Sequence, residues 1–148
     1  MNYTFTTNNI FHSNCAALVD AVNTVGVKGA GLALQFKQKF PKSYNEYRQY
    51  CLSGKMHVGK VLISQEKNIL IIHFPTKRDW RDPSQIEWID KGLHDLIAQV
   101  NSREIESIAI PSIGCGLGGL NWSDVRPMII AACRDIPDCR VEIFGTAT

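Results

Sequence analysis

Short apolar runs alternate along this chain with longer stretches in which apolar residues recur every three or four positions. Tyr3–Thr6 alternates like a short edge strand, and Ala16–Val22 reads as a second strand ending at Asn23. Leu32, Phe36 and Phe40 stand at helical spacing, so residues 32–40 are expected to be helical. Pro41 either ends that helix or opens the next at its first position. Tyr44–Leu52 predicts a helix stopped by Gly54. Lys60–Ser64 and Asn68–Phe74 predict a hairpin turned by Gln65-Glu66-Lys67, and Pro75–Pro83 is polar and irregular. Ser84–Val100 predicts an amphipathic helix, with Ser84 as N-cap and Glu87 completing a capping box. Glu106–Ile110 reads as a strand, Trp122–Cys133 as a helix and Arg140–Phe144 as the last strand.

This alternation argues for a three-layer α/β/α domain with a mixed central sheet. Ligands of such sheets sit beyond the C-terminal ends of the strands, where the loops open. Three loops fall there: Gly26–Gly31, the segment after Phe74, and Ile113–Gly119. They can line one cleft.

Bulk composition narrows the classes. At 148 residues, 45% hydrophobic and 20% charged, the chain is expected to form one domain with a substantial core. A formal net charge of +2 is too small to argue for nucleic acid unless a local patch carries it. No apolar run approaches a membrane span, and Met1–Phe5 lacks the regions of a signal peptide. The five cysteines are odd in number and lack CxxC spacing, and the four histidines do not pair with them. We expect reduced thiols, a cytoplasmic protein, and neither metal nor cofactor.

The candidate chemistry lies in the loops. Gly114, Gly116, Gly118 and Gly119 follow the apolar run Ile108–Pro111 and precede the helix start at Trp122. Glycines there let successive N–H groups turn toward one anion and let a bulky ligand approach the main chain. Gly29 and Gly31 stand at a second helix start, where the dipole favours an anion. Asn23 could offer its amide to a sugar hydroxyl. Two such loops, each between a strand and a helix, indicate a diphosphate ligand. Lys77 sits in the polar loop beside Arg78. It is either a solvated surface lysine or one made reactive by its cationic neighbour. Trp80 among Lys77, Arg78 and Arg81 can stack a base beside a phosphate backbone, or simply pack over the cleft rim. Cys115 needs a base or an electropositive niche to be a nucleophile, and the glycine loop around it could lower its pKa.

Ala17–Gly26 with Gly29-Ala30-Gly31-Leu32-Ala33 resembles the first ligand loop of macrodomains, and Ile110–Trp122 resembles their second. Phe74–Arg81 is similar to the corresponding segment of DNA ADP-ribosyl glycohydrolase antitoxins of the DarG type, and the likeness runs from about Asn9 to Phe144. The resemblance implies that ADP-ribose binds at the top of the sheet. Contacts are implied for Asn9, Ile10, Asn23, Gly29, Ala30, Gly31, Leu32 and Thr76. On the second loop they are Pro111, Ser112, Gly114, Cys115, Gly116, Leu117 and Gly118. It implies a catalytic Lys77 and places Arg78, Trp80 and Arg81 against nucleic acid.

Two departures matter. The usual Asp that accepts from the adenine amino group is replaced within Asn8-Asn9-Ile10, where an amide oxygen accepts without charge. A relative that removes ADP-ribose from protein carboxylates has an Asp in its second loop where this chain has Gly118, as the DNA-directed antitoxins do. The resemblance thus implies a hydrolase that frees ADP-ribose from thymine in single-stranded DNA. A DNA ADP-ribosyltransferase toxin would be its functional partner. Hydrolysis of ADP-ribosyl esters or ADP-ribose 1″-phosphate, and ADP-ribose binding without turnover, are the alternatives. Those antitoxins carry a second, toxin-binding domain. This chain ends shortly after Phe144, so it is either a truncated piece or, as the start at Met1 favours, a free-standing version; we expect a monomer and a single macrodomain over residues 1–148.

Overall fold

The computed structural model describes residues 1–148. Ten elements follow in order: β1 (Tyr3–Thr6), β2 (Ala17–Asn23), α1 (Gly31–Lys39), α2 (Pro41–Leu52), β3 (Leu62–Glu66), β4 (Ile69–Lys77), α3 (Ile86–Arg103), β5 (Ser107–Pro111), α4 (Trp122–Arg134) and β6 (Arg140–Phe144). Short 3-10 turns occupy Ile10–His12 and Gly116–Gly118. The six strands form one sheet in the order β1-β6-β5-β2-β4-β3, with only β3 antiparallel to its neighbour. This is the expected mixed α/β sheet.

The central strands are apolar on consecutive positions because both faces are covered. Val19, Phe74, Ile110 and Ile143 join Ile89, Leu93 and Val125 in the larger core under α3 and α4. Their neighbours Leu18, Ile71 and Ala109 point the other way and pack with Phe36 of α1. The strand period of two therefore sorts one run into two cores. On the α1–α2 face that period also buries Asp20 and His73 completely. Helix α3 lies flush on β4: a Cβ at Gly92 would come within 2.4 Å of Phe74 Cζ.

Three local expectations change. Pro75–Lys77 belongs to β4 rather than to an irregular loop, and Thr76 is buried. The hairpin turns at Lys67 and Asn68, whose φ of 55° and 63° supply the left-handed pair that matches strand twist. Ser84 is not a capping residue. The N-cap of α3 is Gln85, no side chain caps it, and Ser84 Oγ is buried without a partner. Ser84 N–H instead donates to Gly118 O at 2.9 Å, which ties the start of α3 to the second glycine loop. No helix is long and apolar enough to cross a membrane.

Candidate functional site

β2, β4 and β5 run parallel, so Asn23, Lys77 and Pro111 end on the same edge of the sheet. A register shift after Val22 pairs Asn23 directly with Lys77. Above this edge lies a cavity of about 550 Å³, walled by the first loop, the second loop and the end of β4. Its volume suits a nucleotide-sized ligand.

The first loop is held from below. Asn23 Oδ1 accepts from the N–H groups of Val25, Gly26 and Val27, and its Nδ2 donates to Val27 O at 2.7 Å. Tyr47 donates its hydroxyl to Asn23 O at 2.7 Å. Asn23 lines the cavity, but its amide chiefly shapes the loop rather than reaching outward. Lys28 plunges into the core, where its Nζ donates to Asp20 Oδ2 at 2.6 Å. The same amine lies 3.2 Å from His73 Nδ1. Since an ammonium only donates, Nδ1 accepts and the opposite nitrogen, Nε2, carries the hydrogen facing Ser43 and Ser64. Burial pushes the Asp20 carboxyl up to about 6 and pulls Lys28 down, while their mutual attraction works the other way without cancelling it. Burial, then Lys28, holds His73 well below the usual imidazole range. Sequence reading missed this buried group. The one charge within the apolar run Ala16–Val22 was its signal.

Above these anchors Gly29, Ala30, Gly31, Leu32 and Ala33 face the cavity. No side chain caps α1, so its first N–H groups remain available to an anion.

The second loop closes on itself through Leu120 N–H to Gly114 O at 3.0 Å. Gly114 has φ +76°, and a Cβ there would meet Leu120 Cδ1 at 2.8 Å and Ile89 Cδ1 at 2.9 Å. Only glycine satisfies both demands. Gly118 is crowded: a Cβ would stand 2.5 Å from Ser84 Oγ. Any side chain there must push the Ser84 hydroxyl aside, and Ser84 Cβ at 3.3 Å leaves little further room. Burial, aided by Asp124, raises the Cys115 thiol, which is the reverse of what a nucleophile needs.

Lys77 bridges the cleft. Its Nζ donates to Leu117 O at 3.2 Å and to Trp80 O at 3.3 Å. Thr24 ties the first loop to the same segment, donating N–H and hydroxyl to Arg78 O. Pro111, Ser112, Gly114, Cys115, Leu117, Gly118, Thr76 and Trp80 complete the expected wall, with Ala21, Val22 and Val27 added.

Five expected residues stand elsewhere. Asn9 caps the 3-10 turn by accepting from Phe11 N–H, and Ile10 is buried with Phe36. Neither reaches the cavity, and Gly116 sits outside its wall. Arg78 turns to the other side of the segment, its guanidinium 5.2 Å from the Trp88 ring centre in a separate cavity. Arg81 is occupied by Asp79, which accepts from Nε and Nη2 at 3.0 Å each. The guanidinium holds the Asp79 carboxyl down to about 2.

A mixed sheet with two glycine loops over its parallel edge defines an α/β domain with a cleft of nucleotide size. The Macro domain model matches residues 19–129, and the chain belongs to that family. It is 38% identical over 145 residues to a DNA ADP-ribosyl glycohydrolase of Mycobacterium tuberculosis, covering 95% of this chain and 41% of the relative. The macrodomain structure of Mycobacterium tuberculosis DarG superposes with a TM-score of 0.95 at 37% identity, over 98% of each chain. A DNA ADP-ribosyl transferase–DNA ADP-ribosyl glycohydrolase fusion protein of Thermosipho africanus is 31% identical over 161 residues, 96% of this chain and 41% of the fusion. Thermosipho africanus DarTG in complex with ADP-ribose superposes with a TM-score of 0.90 at 32% identity, over 96% and 41%. An ADP-ribose 1″-phosphate phosphatase of Candida albicans is 38% identical over 119 residues, 74% of this chain and 76% of the relative. The chain thus spans about two-fifths of the length of the glycohydrolase relatives it matches.

Proposed function

We propose that this macrodomain hydrolyses the N-glycosidic bond between ADP-ribose and thymine in single-stranded DNA. The observation that carries the reading is Lys77: it ends β4 at the cavity wall and reaches across to the second loop at Leu117 O. Gly118 leaves no acid on the opposite wall. The free N–H groups of α1 and the second loop take the diphosphate from two sides. Lys77 acts at the anomeric carbon, as nucleophile or by orienting the leaving base. Trp80, half exposed at the mouth, stacks a flanking base. Names and superpositions of the glycohydrolase relatives support the substrate class.

The Thermosipho fusion supports a DNA ADP-ribosyltransferase toxin as functional partner. Five free cysteines support a reducing cytoplasm. We take residues 1–148 as one macrodomain acting as a monomer.

An oligonucleotide carrying ADP-ribosylated thymine tests the reading. Free ADP-ribose should appear, and Lys77→Ala should remove most of the turnover. Binding without release identifies a reader module instead. Faster turnover of ADP-ribose 1″-phosphate or of an ADP-ribosyl ester identifies the metabolite-directed alternative, which the Candida relative's name favours.

A further inference from the structure

Ser84 Oγ is buried and has no hydrogen-bond partner, although the residue stands one position before the N-cap of α3. Its backbone is fixed by the bond to Gly118 O, so the hydroxyl is presented from a rigid base. The point where a Cβ at Gly118 would stand lies 2.5 Å from Ser84 Oγ and 4.0 Å from Lys77 Cε. Hydroxyl and lysine stem therefore lie about Gly118, which lines the cavity with Lys77, while Ser84 sits just behind it. An unpaired buried hydroxyl is unfavourable, and in a native fold it calls for a partner, be it an ordered water or a group that arrives in another state.

Lys77 is the group that can supply it. Its amine donates to two carbonyl oxygens at 3.2 and 3.3 Å, contacts at the long end of the hydrogen-bond range. It must give up at least one of them to act on a ligand. We propose that Ser84 is a positioning residue for Lys77. When substrate enters, the Lys77 amine leaves Leu117 O and donates to Ser84 Oγ, which aims it at the reacting carbon. This rests on the reading of Lys77 given above.

Ser84→Ala tests it, because the hydroxyl is used only in the working state. Removing an unpaired polar group should leave the melting temperature unchanged or raised. With the ADP-ribosylated thymine oligonucleotide, kcat should fall at least tenfold. KM, and the Kd for free ADP-ribose by calorimetry, should stay within twofold. The ratio of kcat to KM should also show an altered pH profile. Undiminished kcat in an active background overturns the assignment. So does a marked drop in melting temperature, or a Kd weakened as much as kcat. Wild-type protein inert on the oligonucleotide would overturn the proposed function and this role with it, whereas an active wild type beside an undiminished Ser84→Ala overturns this role alone.

Discussion

Lys28 and Asp20 form an ion pair at 2.6 Å with side chains 1% and 0% exposed, directly beneath the loop that carries Gly29 and Gly31. A buried pair contributes little net stability, because desolvation opposes the attraction, but breaking it strands a charge. Asp20 Oδ1 is already without a partner. Lys28→Met alone should therefore destabilise the fold by about 3–5 kcal/mol. Combined with Asp20→Leu, most of that loss should be recovered, since no buried charge is left. Urea unfolding of the two single variants and the double variant gives the coupling energy. Additive losses would show that the pair does not act as a unit.

The same pair makes a pH prediction. Asp20 is pushed up from 3.8 to about 6 in the folded state, so between those values the fold holds a proton that the unfolded chain releases. Its contribution to stability is full below pH 3.8 and is lost as pH rises through about 6. Wild-type stability, measured relative to the Lys28→Met/Asp20→Leu double variant, should decline across that window. A relative increase with pH would contradict the assignment of the shift to burial of Asp20.

The layers and most elements were legible because strand and helix periods are local properties of the chain. Strands β2, β5 and β6 and helix α4 fall within a residue or two of their expected bounds. Both glycine loops were legible because glycines clustered between a strand and a helix have few other uses. Ser84 was misread as a cap, and the contacts of Asn9 and Arg78 were not legible, for a different reason. Each is decided by what a side chain meets in space: a local 3-10 turn for Asn9, the Trp88 ring for Arg78, and Gly118 for Ser84. The buried histidine was invisible in the same way. His73 reads as one polar residue in an apolar strand until β4 pairs with β2 and sets it beside Asp20.

Gly118 and Ser84 offer a steric test of the second loop. Gly118→Ala forces a methyl to within 2.5 Å of Ser84 Oγ, and the backbone bond between the two residues leaves little room to separate. The substitution should cost about 1–3 kcal/mol, the usual range for overpacking. Adding Ser84→Gly removes the clashing atoms and should restore much of that loss despite the flexibility glycine brings. Denaturation midpoints decide it. If Gly118→Ala is as stable as wild type, the loop is not packed against α3 as described.

Asp79 tempers the positive charge at the mouth of the cleft. Its carboxylate, held down to about 2 by Arg81, stays ionised at neutral pH and occupies that guanidinium through two bonds of 3.0 Å. The Arg81 guanidinium also lies 5.6 Å from the ring centre of Trp80. Asp79→Ala releases the arginine toward a phosphate. Affinity for single-stranded DNA should rise several-fold at low salt, and the slope of log K against log salt should steepen by about one phosphate contact, roughly 0.7. Arg81→Ala in the same background should cancel both changes. Affinity for free ADP-ribose should hold in all of these variants, because neither Asp79 nor Arg81 lines the cavity. Fluorescence anisotropy with a labelled oligonucleotide at several salt concentrations measures the slope. A slope unmoved by Asp79→Ala would place the DNA path away from Trp80 and Arg81.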